Sequence, residues 1–550
     1  MSETPRALPT PPSTGLTPAA SRDDFHHAVR SSNGVILIPQ PSVDPKDPLN
    51  WSAAKKHGVF AVVCLAVFVG TANINVQQLA YIQQTSYYHK SPVQLSYSIS
   101  AGVAGLIVGP ILLVPLASVI GRASLIFWCS LVSLGCNVWG PLMTGSNDYI
   151  PFVLSRLFAG LFGSVPAQLA SGYIMDLYFL HQRGKAFTVL EVCIFGGILV
   201  APVLGGFIAN SKPWPFVFWW LVAVSGLSVI LTFLLLEETS YSRENPALNT
   251  PRPQSYVANR ICTFLPGTKT IPRTTFRAVA RKYAAPFLIA FSPVTLFAGF
   301  FITLVFGFVL GLGVESAIFL QTPVAYGGYG FTPLQNATFN TSWWCAVIAC
   351  QLCGIFLNDR VPLWISRRSK GIWHSENRLW TIFLVIFAAP VGLGLFGAGL
   401  QYHLHYMVLA LGTFLTIFAA IYSIPITINY ITECFPDYPL EVAVCMNAYR
   451  NSFGLGLTFY EIPWQAAVGS GWLFGTQAFI CIFASIFICV LIWKGHVLRR
   501  YKLLKDSDED GLKITTVDSC LSIFEESALP ERKSMVPRDP EKLVSQREFA

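Results

Sequence analysis

Ionisable residues are scarce in the apolar runs of this chain, so the few that stand there are the ones able to do chemistry. Glu191 opens the stretch "LEVCIFGGILVAPVLGG", Glu315 lies in "GLGVESAIF" and Arg156 lies in "SRLFAGLFG". An acid at the middle of a membrane helix costs about 3 kcal/mol on insertion scales, and groups that bear this cost face a partner or a watery path. Such a carboxyl can take up and release a proton, and a nearby guanidinium favours its deprotonated form. Glu191 and Glu315 are therefore candidate proton carriers, with Arg156 as the candidate cation. Two readings of Glu191 stand side by side, because an acid only a turn or so inside its span can also reach the interface. Arg156 can equally serve a structural ion pair. Glu461, beside Pro463 and Trp464, is read as interfacial.

Amides form a second group. Asn73, Asn75, Gln77 and Gln78 in "TANINVQQ" are too many for a lipid-facing turn, which points to the lining of a wet cavity, with helix contacts as the plainer alternative. In "NAYRNSFG", helical spacing puts Asn447, Asn451 and Gly454 on one face with Arg450 adjoining. These residues are the candidate substrate contacts. No HExxH, nucleophile elbow or cluster of histidines and aspartates appears, so neither an enzyme nor a metal or cofactor is expected. Cys350 and Cys353 have the spacing of a redox or metal pair, but the preferred reading is small buried hydrophobes, without a disulfide framework.

The elements that must position these residues follow from composition. The chain has 550 residues, 53% hydrophobic and 12% charged, with a mean hydropathy of +0.52. Soluble domains carry about 25% charged residues; this chain lacks the polar surface to face water. A bilayer core of roughly 30 Å needs about 20 apolar residues in a helix. Such runs recur near 58–80, 98–118, 124–143, 151–173, 186–209 and 216–236, then near 293–318, 338–357, 379–400, 406–429, 441–462 and 471–493. About twelve spans are expected, in an all-α membrane protein of two six-helix bundles, 58–236 and 293–493, around a central path.

Small residues say how the helices meet. Gly197, Ala201 and Gly205 form one stripe at which another backbone can approach closely, and Pro202 kinks the same span. Arg156, Gly160 and Gly163 share a face in the same way.

Lysines and arginines concentrate in the loops that place both ends in the cytosol, so the net charge of +8 needs no nucleic-acid partner. The loop "ECFPDYPLE" is acidic and departs from that bias. Residues 1–57 read as a disordered cytosolic tail, 237–292 as a basic, mobile linker and 494–550 as a second tail. Sequons at Asn336 and Asn340 fall in or beside a loop expected outside and are candidate glycosylation sites.

Over about residues 44–493 the chain resembles the major facilitator superfamily, in particular its twelve-span fungal drug:proton antiporters. "DPLNW", Asp47 to Trp51, is similar to that group's entry to the first span. "RLFAG" resembles the span-four motif through Arg156 and Gly160; Asp176, Arg183 and Gly184 match its cytosolic exit. "GGILVAPVLGG" resembles the antiporter motif of span five through Gly197, Pro202, Gly205 and Gly206. "EET" at Glu237 and the segments "NDRVPLWISRR" and "ENRLW" match the close of the first half and the loop between spans eight and nine. The chain departs from the pattern in two places. Gly121 and Arg122 are kept in the gating loop after span two, but Ser118 stands where an acid is expected, and Ala201 replaces a glycine of span five. Asp359 and Arg360 in the related loop are the residues that can retain a comparable ion pair.

The resemblance implies a monomeric, proton-coupled exporter of small, largely apolar organic compounds such as drugs, toxins or secondary metabolites. Its expected place is the plasma membrane, with the vacuolar membrane as the alternative. An importer of a polar nutrient or organic cation is the second reading.

Overall fold

The computed structural model describes residues 39, 42, 44–241, 255–265, 276–324, 328–358, 360–368, 374–501 and 503. The first half comprises α1 (Ala53–Asn75), α2 (Tyr81–Tyr88), α3 (Pro92–Leu113), α4 (Ala117–Ile120), α5 (Arg122–Leu142), α6 (Tyr149–Gly163), α7 (Val165–Leu177), α8 (Leu180–Ala209) and α9 (Phe216–Leu235). Between the halves lie α10 (Tyr256–Phe264) and α11 (Phe276–Ala290). The second half comprises α12 (Pro293–Gln321), α13 (Pro333–Phe339), α14 (Thr341–Leu357), α15 (Arg360–Arg368), α16 (Phe383–Gln401), α17 (Tyr406–Cys434), α18 (Pro439–Val468) and α19 (Ser470–Leu498).

Among the described residues, ten helical segments are long and apolar enough to cross a membrane. The two other runs expected to span are α14, which has 17 residues, and α18, which is interrupted by Arg450 and Glu461. Local chemistry sets several boundaries. Ser91 with Gln94, and Thr332 with Gln335, form reciprocal caps at the starts of α3 and α13, each followed by proline at the first turn. The fourth expected span is broken at Ser164, between α6 and α7, because Pro166 cannot continue the hydrogen-bond ladder. Gly121 has φ +98° between α4 and α5, a conformation that an L side chain rarely adopts.

Buried apolar side chains gather in separate clusters for the two halves, and two helices stitch them together. Phe195 and Leu199 of α8 pack within the second half's core, while Val444 of α18 packs within the first half's. The outer face stays apolar, with Leu227, Ile230, Phe387 and Phe479 all exposed. Water would not tolerate so continuous an apolar surface, and hydrocarbon does.

Three expectations need correction. The first tail is ordered at its end: Asp47 is buried, its carboxylate accepts the Leu49 amide, and Lys56 Nζ donates to the Leu49 carbonyl at 2.9 Å. The linker is not a loose tether throughout. Phe264 of α10 packs its ring on Phe127 and Phe233, and Tyr283 of α11 donates to the Leu112 carbonyl at 2.9 Å. The two sequon asparagines, Asn336 and Asn340, are both buried where α13 packs, so a glycan on either would have to displace the fold around it.

Candidate functional site

A narrow cavity of about 90 Å3 lies on the seam between the halves. From the first half it is lined by Thr71, Asn75 and Gln78, by Ser100, and by the α8 residues Ile194, Phe195 and Ile198. From the second half come Phe306, Leu310, Trp343, Arg450 and Asn451. The wall is mostly apolar and aromatic with a few convergent polar groups, the usual make-up of a small-molecule site.

Arg450 is the cation of this cavity. Its guanidinium lies 5.1 Å from the Phe306 ring centre and donates to Asn447 Oδ1 at 3.1 Å. Its buried Nε has no hydrogen-bond partner among the described residues. Asn451 Nδ2 also donates to Asn447, at 2.8 Å to its carbonyl, and Asn447 in turn donates to the Leu106 carbonyl of α3 at 3.0 Å. The Asn447, Arg450 and Asn451 constellation thus holds together on α18 and reaches across to the other half.

Glu191 precedes the cavity-lining Ile194, Phe195 and Ile198 at i, i+3, i+4 and i+7, so it sits on the same face of α8, one turn below the cavity. Among the described residues Arg450 is coupled to Glu191 through space, with no direct ion pair between them. Arg156 does not meet Glu191. It is 2% exposed inside the first half, with Nη2 donating to the Cys136 carbonyl at 3.0 Å and the guanidinium 4.8 Å from the Phe218 ring centre. The side chain of Glu315 lies outside the described residues.

The four amides divide between the two roles considered for them. Asn75 and Gln78 line the cavity, and Gln78 also donates to the Gly313 carbonyl of α12, bridging the halves. Asn73 donates to Ser133 Oγ at 2.7 Å and accepts from Asn137, and Gln77 donates to Ser98 Oγ at 2.5 Å. Those two are helix contacts within the first half, a correction to their reading as cavity groups. Glu461 is also corrected: it is fully buried, accepts from Gln477 of α19 at 2.6 Å, and fills the space left by Gly311 of α12. Sequence placed it at the interface because the neighbouring proline and tryptophan outweighed a packing partner sixteen residues away.

At the end of the seam where α5 begins, Arg122 forms an ion pair with Asp176, which also accepts from Thr239 at 2.8 Å. Arg183 donates to the carbonyls of Met175 and Tyr178 and so closes the end of α7. Asp359 lies outside the described residues, and Arg360 is exposed and sits 5.6 Å from the Phe356 ring centre. Comparable ion pairs of the second half are Arg499 with Glu376, at 2.7 Å, and Arg378 with Glu433. Glu433 belongs to the acidic loop that broke the charge bias. So does Glu441, which lines a pocket of about 220 Å3 with Ser118, Arg122 and Lys282 and lies in the field of both cations. Sequence reading missed this role, for which the anomalous loop charge was the available signal.

The stripe of Gly197, Ala201 and Gly205 meets α1, since a Cβ at Gly197 would overlap Thr71 and Phe68, and one at Gly205 would overlap the Val76 carbonyl. Ala201 is buried in the same contact region. Pro202 lies within the continuous α8.

A seam cavity between two helical halves leaves the family to be decided by comparison. The profile described as Major Facilitator Superfamily matches residues 58–460. The chain belongs to the Major Facilitator Superfamily. Superfamily relatives include "Efflux pump radE" of Floropilus chiversii, 26% identical and covering 83% of this chain and 84% of that one. "Protein HOL1" of Saccharomyces cerevisiae is 25% identical, with 86% and 91% covered. Among solved structures, the xylose transporter XylE from E. coli aligns with a TM-score of 0.55 at 14% identity, covering 80% of this chain and 99% of that one. That likeness is one of fold. The chain is a transporter embedded in a membrane.

Proposed function

We propose that this transporter is a twelve-span, proton-coupled exporter of small, largely apolar organic molecules, working as a monomer. The observation that carries the reading is the seam cavity, in which apolar and aromatic walls enclose Arg450 and Asn451 while Glu191 stands one turn away on the same face. Relatives named as efflux pumps support the direction. The lysines and arginines of the loops support cytosolic placement of both ends at the plasma membrane.

In this reading Glu191 carries the proton and Arg450 makes its release favourable, because a neighbouring cation stabilises the carboxylate. Proton uptake at Glu191 would remove a negative charge from the field at Arg450, altering how the cavity holds an electron-rich group of the cargo. Glu315 is retained as a second proton carrier. The inward passage of one proton across roughly 100 mV supplies about 2.3 kcal/mol, enough for roughly a fifty-fold cargo gradient. The halves rock about the midplane cavity.

Reconstituted protein in liposomes tests this. Efflux of an apolar fluorescent cation or neutral dye is expected to follow an imposed proton gradient and to lose that dependence in Glu191→Gln. Flux indifferent to the gradient in the unaltered protein would defeat the coupling. The second reading, import of a polar nutrient or organic cation, draws on the amides of Asn75, Gln78 and Asn451 in the cavity; uptake of a polar solute by intact cells, without resistance to apolar toxins, would favour it.

A further inference from the structure

We propose that the groove between α1 and α8, away from the seam cavity, is a binding site for one anionic glycerophospholipid. The two helices touch where Gly197 meets Phe68 and Thr71. Below that contact, toward the first residues of both helices, they leave a groove of about 990 Å3. Its floor is an apolar stripe, with Phe60, Cys64 and Phe68 at successive turns of α1 and Val189 and Cys193 on α8.

The polar groups of the groove all gather at one end. Lys56, His57, Gln182 and Lys185 line it there, beside Trp51 and Tyr178, and none of the groove's lining residues is acidic. His57 and Lys185 are exposed. Lys56 is tied to the Leu49 carbonyl at 2.9 Å, and the adjacent Lys55 is engaged by Glu237 at 2.8 Å. Lys185 is thus the cation best placed to meet a headgroup phosphate.

Dimensions agree with a lipid in one leaflet. From Lys56 to Phe68 the helix rises roughly 18 Å at 1.5 Å per residue, against about 15 Å for half of a bilayer's hydrocarbon core. Charge complementarity selects the occupant: apolar cargo would leave the cationic end unanswered and a zwitterionic lipid brings a cation of its own beside its phosphate, whereas a diacyl lipid of net negative charge answers both stripe and cation. Tryptophan and tyrosine at the same end suit the headgroup level.

The test uses the full-length chain, delipidated in detergent and offered equal amounts of phosphatidylserine and phosphatidylcholine, with retained lipid read by native mass spectrometry. One phosphatidylserine is expected to be retained about fivefold over phosphatidylcholine, the preference one lysine near an anionic headgroup provides. Lys185→Glu is expected to abolish the preference, and Ala61→Trp, at an exposed position in the groove, to lower retention of both lipids. In nanodiscs, maleimide modification of Cys193 is expected to slow several-fold when phosphatidylserine replaces phosphatidylcholine, a readout that needs no variant. Equal retention of the two lipids, a preference that survives Lys185→Glu, Cys193 modification at the same rate in both lipids, or competition by glycerol phosphate as effective as by the whole lipid would each overturn the proposal.

Discussion

Two buried arginines have the same residue type and different surroundings, and that difference assigns their work. Arg156 is closed in by the Cys136 carbonyl, Ser155 and the Phe218 ring, all within the first half. Arg450 lines the seam cavity between the halves, against the face of α8 that also carries Glu191. Arg156→Lys is therefore expected to lower the melting temperature by several degrees, since the planar fork and ring stacking are lost, while the residual flux keeps its proton dependence. Arg450→Lys should do the reverse, sparing stability and weakening cargo recognition, as a shift in half-saturating cargo concentration would report. A double-mutant cycle of Glu191→Gln and Arg450→Gln on gradient-driven flux is expected to give a coupling of about 0.5–3 kcal/mol; additive effects would separate the two residues. Sequence singled out all three and named Arg156 as the cation for a neighbouring acid if the fold brought them close; the fold keeps Arg156 on its own contacts within the first half. Helical periodicity places a side chain on its own helix, and it carries no information on which distant helix lies opposite.

At the scale of elements, close helix contact was legible because it depends on residue size alone. Gly70 of α1 lies against the Gly163 backbone of α6, Gly160 against Gly102 of α3, and Gly197 against Thr71. Any side chain at these points would enter a neighbouring backbone or hydroxyl. Gly197→Leu is expected to cost at least the roughly 1–3 kcal/mol of an overpacked core, read as a lower melting temperature in detergent, whereas Gly135→Leu, where a side chain meets open space, should leave it unchanged. The break between α6 and α7 and the burial of Glu461 were less accessible to sequence. A continuous apolar run hides a broken helix, and the partner of Glu461, Gln477, sits on the next helix of the fold.

For the whole molecule, the end of the seam where α5 begins is expected to be held by charge. Ser118 stands where the motif resemblance leads one to expect an acid, and its hydroxyl donates to the Pro115 carbonyl at 2.7 Å. Glu441 brings an acid to the same pocket from the opposite half, facing Arg122 and Lys282. Glu441→Lys would set three cations against one another across the seam, favouring separation of the halves at that end. Ser118→Cys is accordingly expected to react several-fold faster with a membrane-permeant maleimide in the Glu441→Lys background than without it; equal rates would remove Glu441 from the closure.

Composition and apolar run length by themselves determined that this chain is a bundle of membrane helices, because hydrocarbon demands that every backbone hydrogen bond be satisfied within a span. Glycine spacing likewise determined where helices could touch. Which charges meet was decided by the tertiary structure alone. Arg450 comes to Glu191 from 259 positions along the chain, Glu441 to Arg122 from 319, and Gln78 to the Gly313 carbonyl from 235. Electrostatic and hydrogen-bond partners are chosen by proximity in space, and in two packed bundles that proximity is set by the path of the chain between spans rather than by any local pattern within one.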